Sequence, residues 1–157
     1  LRRPPWQQIA GDNWLEVEAV AAAVRALGAT PRRVFIALGR SELGAFETAP
    51  QHVYLVRSVD RVEPPLAVPR ANYLTARGPF SEAADRALLE QHRIDVVVAK
   101  NSGGEATYGK IAACRALGLP VIMLRRPTLP EAESVVTAGE VLAWLDHALT
   151  LSTARGV

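Results

Sequence analysis

A single cysteine, Cys114, rules out a disulfide within the chain and with it the cysteine-rich secreted scaffolds. Histidine is nearly as scarce, and His52, His92 and His147 are too scattered for metal-ligand spacing, so no metal is expected. Aromatic residues are only 6% of the chain, and Trp6, Trp14 and Trp144 lack the interleaving of a single-strand nucleic-acid platform. No excess of one charge sign exists either. Eighteen Lys and Arg against 16 Asp and Glu leave +2, too little to argue for a nucleic-acid partner, although a pI near 9.0 leaves room for a local basic patch. No apolar run reaches the ~18 residues of a membrane span, and the first residues lack a secretory pattern. The expectation is a soluble, cytoplasmic protein without a membrane partner. The Gly-x-Gly-x-x-Gly fingerprint is also missing, so motif grammar alone implies no nicotinamide cofactor.

What is present is a chain of 157 residues, 49% hydrophobic, enough for one proper core. Apolar, β-branched runs bounded by turn residues predict five buried strands: Val34–Leu38, Val53–Val56, Tyr73–Thr75, Ile94–Ala99 and Val121–Leu124. Helical patterns fall at Glu18–Leu27, Ser41–Phe46, Ser81–His92, Gly104–Leu117 and Ala138–Leu149, with Gly28 and Gly118 placed as left-handed caps. Such alternation predicts an α/β, Rossmann-like, doubly wound fold with a mainly parallel five-stranded sheet. Trp14–Val17 and Ser134–Thr137 could each add a short edge strand, for which an antiparallel course is open. Arg61–Arg70, with Pro64, Pro65 and Pro69, reads as a connecting loop.

Leu1-Arg2-Arg3-Pro4 recurs as Leu124-Arg125-Arg126-Pro127, and each copy leads into an Ala/Leu/Val helical pattern. Duplication explains this more simply than coincidence, and only the second copy follows a complete strand. The expected division is therefore residues 1–13 as the end of an upstream domain with its linker, 14–150 as the domain, and 151–157 as a flexible tail.

Ligands of doubly wound sheets sit beyond the carboxyl ends of the strands. Each predicted strand delivers a cation there: Arg40, Arg57, Arg77, Lys100 and the pair Arg125 and Arg126. One or two could be solvated caps, but five converging strand ends argue for a positive cleft and an anionic ligand. Gly39-Arg40-Ser41 and Ser102-Gly103-Gly104 lead toward helices and could add backbone donors. Gly104 to Lys110 has P-loop spacing, but Ile111 stands where a Ser or Thr should bind magnesium, so nucleotide hydrolysis is not expected. Thr107, Tyr108 and Lys110 are early helix residues that can reach the same anion or simply face solvent. Acid-base groups are few: Asp95 reads as a strand-edge cap, Glu42 and Glu105 as helix first-turn residues, and Cys114 as a small buried residue. The chain looks like an anion binder whose chemistry comes from a cofactor.

Val34-Phe35-Ile36-Ala37-Leu38-Gly39-Arg40, Ala76-Arg77-Gly78-Pro79-Phe80, Lys100-Asn101-Ser102-Gly103-Gly104 with Lys110 and Ala112-Ala113, Pro120-Val121-Ile122-Met123, and Arg126-Pro127 occur in an order that resembles the precorrin-6A reductases of cobalamin biosynthesis. The resemblance is to the C-terminal domain of that two-domain family. It implies NADPH-dependent reduction of one double bond of a polycarboxylate tetrapyrrole, precorrin-6A to precorrin-6B, with ligands held between two domains. Because close backbone approach suits a pyrophosphate, Gly39, Arg40, Ser41, Lys100, Asn101, Ser102, Gly103, Gly104 and Thr107 are assigned to NADPH, and Arg57, Arg77, Gly78, Lys110, Arg125 and Arg126 to the substrate; the alternative is that Lys100–Gly104 hold substrate carboxylates. Lys100, Tyr108 and Lys110 are the candidate proton donors. The implied partners are the tetrapyrrole and the upstream domain, without which turnover by this chain is not expected. Two alternatives stay open: an NADH-using cobalt-precorrin reductase, and a non-catalytic anion- or nucleotide-binding domain on the same scaffold.

Overall fold

The computed structural model describes residues 3–126 and 137–145. Its elements run β1 (Trp14–Val17), α1 (Val20–Leu27), β2 (Arg33–Ala37), α2 (Arg40–Leu43), β3 (Val53–Ser58), β4 (Ala71–Thr75), α3 (Glu82–Gln91), β5 (Val96–Lys100), α4 (Gly109–Leu117) and β6 (Val121–Leu124), with 3-10 turns at Gly44–Thr48 and Glu105–Thr107. Residues 138–145 are helical, within the span predicted for the last helix. The end of that helix, most of Ser134–Thr137, Pro127 and the 151–157 tail lie outside the described residues.

All five expected strands form, within two or three residues of their predicted limits, but the one containing Tyr73–Thr75 is not buried as expected: β4 is an edge strand with Asn72 and Thr75 exposed. The expectation of a five-stranded sheet with an antiparallel edge is corrected: the sheet has six strands in the order β1-β6-β5-β2-β3-β4, and every pairing is parallel. The sixth strand is Trp14–Val17, running beside β6 with Trp14 opposite Val121 and Val17 opposite Leu124. Its four residues include exposed Leu15 and Glu16, so no buried apolar run marks it. Its direction is decided by where the chain goes next. The strand feeds α1, which packs over the sheet and returns to β2, and such a crossover joins parallel strands.

Alternation within the strands sorts the core into two layers. Val34, Ile36, Tyr54, Val56, Val96 and Val98 face α1 and the Gly44–Thr48 turn, where Ala23, Leu27 and Phe46 complete one cluster. Phe35, Leu55, Val97, Ala99 and Met123 point to the opposite face and pack on Leu89 of α3 and Ile111 and Ala113 of α4. Continuous apolar strands are thereby covered on both sides. Local signals set the helix limits. The Ser81 hydroxyl caps α3 by accepting from the Ala84 amide at 3.2 Å, and α4 stops at Gly118, left-handed at φ 66°, ψ 23°. Gly28 also has positive φ (75°), but its ψ of −176° is extended rather than the expected left-handed cap. Arg61–Arg70 contains no helix or strand, in keeping with its prolines.

Candidate functional site at the carboxyl edge of the sheet

β2 and β5 are neighbours whose continuations leave toward opposite faces. After β2 the chain enters α2 and the turn carrying Phe46 on one side, whereas after β5 it enters α4 on the other. This reversal opens a crevice at the strand ends. A cleft of about 200 Å³ lies there, walled by Ala37 at the end of β2 and Leu38 beyond it, Arg57 and Ser58 of β3 and Val59 beyond it, Ala76 and Phe80 after β4, Lys100 at the end of β5 and Ser102 beyond it, Thr107 before α4, and Lys110 in its first turn. Apolar surface from Leu38, Val59 and Phe80 meets hydroxyls and cations.

The predicted cations divide. Lys100 reaches the cleft half-exposed and pairs with Glu42 at 2.6 Å. Glu42 also accepts from the Gly39 amide at 3.1 Å, so the Gly39-Arg40-Ser41 turn uses a donor internally. Lys110 is buried at the cleft wall, 5% exposed, and donates to the Thr107 carbonyl at 2.5 Å. Arg57 is also buried; its guanidinium pairs with Asp85 of α3 and lies 3.8 Å from the Phe80 ring centroid and 5.0 Å from that of Phe35. Arg40, Arg77 and Gly78 are exposed; Arg40 donates to the Arg61 carbonyl at 3.4 Å and Arg77 approaches Asp60 at 3.7 Å. Arg125 turns to Glu16 at 2.9 Å and Glu18 at 3.7 Å, beside the β1 edge.

The Lys100–Gly104 segment has a second occupant, the chain's own N-terminal stretch. Asn101 is buried and brackets Trp6: its side-chain oxygen accepts from the Trp6 amide at 2.7 Å and its amide group donates to the Trp6 carbonyl at 2.9 Å. Arg126 donates to the carbonyls of Asn101 (2.7 Å), Ser102 and Arg3. A Cβ at Gly103 would run into the Pro4 carbonyl, and one at Gly104 would come within 2.9 Å of the Arg3 guanidinium. Gly103 has φ +66°, where glycine is favoured. The close backbone approach these glycines permit is thus made by residues 3–6. Ser102 and Thr107, with hydroxyls 2.9 Å apart, stay at the cleft.

Tyr108 is drawn away from the cleft. Its hydroxyl accepts from Arg115 at 2.5 Å, Arg115 pairs with Asp12 at 2.8 Å, and the Tyr108 ring meets Trp6 edge-on at 5.5 Å. Asp95 accepts from the Arg33 amide at 2.7 Å, the strand-edge role expected of it. Cys114 is buried, and burial pushes its thiol up to about 12. His52 is buried too, accepting from the Arg32 amide at 3.1 Å, and burial holds its pKa below the usual histidine value. Sequence reasoning missed Ser58, Val59, Ala76 and Phe80 as cleft residues and Asp85 as the partner of Arg57. Ser58 directly follows a singled-out arginine and was within reach; Asp85 sits in the first turn of a helix, where an acid attracts no notice.

Burial, reinforced by the Arg57 charge, brings Lys110 down from 10.5 to about 8. Between those values the unfolded chain binds the proton that the folded chain has released, so stability rises with pH across that window and the burial penalty is full below it. Lys110→Met should abolish this rise. Urea midpoints of wild type and variant from pH 7 to 10.5 check it, and parallel curves would refute it.

Residues 1–146 match the family described as precorrin-6x reductase CbiJ/CobK. A precorrin-6A reductase from Sinorhizobium sp is 52% identical over 147 residues, covering 94% of this chain and 56% of that protein. Its counterpart from Rhodobacter capsulatus is 47% identical over 158 residues, 100% of this chain and 62% of that protein. A solved structure of a CobK precorrin-6A reductase superposes with a TM-score of 0.86 at 46% identity, over 93% of this chain and 58% of that one. The chain therefore spans 56% and 62% of the length of these two curated relatives. A match over residues 1–146 places the chain in the precorrin-6x reductase CbiJ/CobK family.

Proposed function

We propose that this chain is the C-terminal part of an NADPH-dependent reductase acting on a polycarboxylate tetrapyrrole, the conversion of precorrin-6A to precorrin-6B. The observation that carries the reading is the carboxyl-edge cleft, where Lys100 and Lys110 stand beside the Ser102 and Thr107 hydroxyls and an apolar wall. Cations and hydroxyls suit phosphate or carboxylate, and Leu38, Val59 and Phe80 suit the face of a ring.

A nicotinamide dinucleotide fits this wall in part. The cleft is smaller than the ~300–1,000 Å³ of most ligand pockets, so it takes a ring or one phosphate, and an upstream domain would complete the enclosure. The Gly103 turn does not suit the pyrophosphate, because Pro4 occupies its open side. Lys100, Ser102 and Thr107 are the residues that would hold the cofactor, with Leu38, Val59 and Phe80 against its ring. When bound, the cofactor supplies hydride. The protein orients the reactants and neutralises charge: the Lys100 ammonium offsets an anionic group, and the ion-paired Arg57 stiffens the wall on which Phe80 stacks.

Calorimetric titration of the chain extended to the length of its relatives should show saturable NADPH binding, weakened by salt and at least about tenfold tighter than NADH. Lys100→Ala should weaken it by about tenfold, the worth of one charge-assisted hydrogen bond. Equal affinities for the two nucleotides, or no effect of Lys100→Ala, would overturn the cofactor assignment.

A further inference from the structure

We propose that Lys110 delivers the proton of the reduction, an inference that rests on the reductase reading and specifies its acid. The two lysines of the sequence, Lys100 and Lys110, both line the carboxyl-edge cleft, while the remaining members of the Lys and Arg set are all arginine. Arginine supplies charge but keeps its proton at any working pH, whereas lysine can release one. Lysine therefore occurs where a proton could be given to a ligand.

The surroundings separate the three candidate donors. Lys100 is half-exposed and tied to Glu42. The Tyr108 hydroxyl is turned to Arg115, outside the cleft lining. Lys110 is buried and lines the cleft. The Thr107 carbonyl fixes one of its three N–H bonds, and among the described residues no other hydrogen-bond acceptor engages the ammonium. Its facing groups are Arg57 from β3, Asp85 from α3, Cys114 on its own helix and the Trp6 ring at 5.0 Å. The Asp85 carboxylate is already paired with Arg57, so a carboxylate nearby does not pin the Lys110 proton. The result is an acid that is charged at neutral pH and yields its proton a little above it.

The reduction adds two electrons and two hydrogens across one double bond of the macrocycle. Hydride from the reduced nicotinamide forms the new bond at one atom, and the nicotinamide is oxidised. At the other atom the Lys110 Nζ–H bond breaks, the proton is transferred, and the neutral amine regains a proton from solvent.

Lys110→Arg keeps the charge and removes the releasable proton. In a reductase of the relatives' full length, its kcat should fall by about 10²-fold or more while KM changes less than about threefold; wild type should lose rate above pH 8, and the variant should not. Independently of activity, lysine labelled with 13C at Cε gives two resonances in this chain, assigned with Lys100→Arg, and that of Lys110 should titrate near pH 8. Wild-type turnover by Lys110→Arg, or a Lys110 resonance titrating near 10.5, overturns the inference. A wild-type protein that fails to reduce the macrocycle overturns the reductase reading itself, whatever Lys110 does.

Discussion

Asp85→Ala should lower the unfolding free energy by about 3–5 kcal/mol, the cost of leaving a buried cation without its counter-charge. Arg57 and Asp85 have side chains only 7% and 3% exposed, so water cannot replace the lost partner. The guanidinium lies between Phe35 and Phe80, which favour the cation but supply no acceptor for its N–H groups. Lys110 makes the loss worse, because the Asp85 charge moderates two neighbouring positive charges. Asp85→Asn should retain hydrogen bonding but not charge and fall in between. The double variant Arg57→Met with Asp85→Leu should recover most of the deficit, since an apolar pair of similar volume leaves neither a guanidinium nor a carboxylate buried without its partner. Urea denaturation of the four proteins measures this. Asp85→Ala unfolding within about 1 kcal/mol of wild type would mean that the pair is open to solvent.

Gly103→Ala should release residues 3–6 from the edge of the sheet. Two effects combine at this position: φ is +66°, which costs a non-glycine residue roughly 1–3 kcal/mol, and a Cβ collides with the Pro4 carbonyl. Gly118→Ala separates them, because Gly118 has the same φ of +66° with nothing within 4 Å of the added carbon. The expected result is a larger loss of stability for Gly103→Ala than for Gly118→Ala. Trp6 should also gain solvent exposure in Gly103→Ala alone, read as a red-shifted emission that a Trp6→Phe background removes. The stretch is held by the two Asn101 bonds to Trp6 and by Arg126, so a displaced Pro4 forfeits contacts on both sides. Equal stability losses with unchanged Trp6 emission would show that residues 3–6 do not press on this turn.

The strands and helices were legible because their signals are local. Val34–Leu38 and Val53–Val56 are apolar and β-branched between turn residues, and Ser81 and Gly118 mark helix ends by their own conformational preferences. The strand-end placement of Arg57 and Lys100 was legible for the same reason, since a parallel sheet sends its strand ends to one rim, whereas Arg40, Arg77, Arg125 and Arg126 lie outside the cleft lining. β1 was not: a four-residue edge strand with two exposed members carries no pattern, and its direction depends on α1 crossing back over the sheet.

Within the site, the sequence by itself determined that cations and glycine turns gather at the carboxyl edge, and that Lys100 and Lys110 are among them. Which of those groups meet the cleft was decided by tertiary structure. Arg57 found Asp85 from a helix 28 positions away, Arg126 found the carbonyls of Ser102 and Arg3, and Tyr108 found Arg115. Gly103 reads in sequence like a seat for phosphate, yet its open side holds Pro4. The physical reason is common to all of them. A residue's type fixes the charge and hydrogen bonds it can offer, but whether these go to a ligand depends on the nearest partner in space, whether that partner lies seven positions away, as Arg115 does from Tyr108, or 123, as Arg3 does from Arg126.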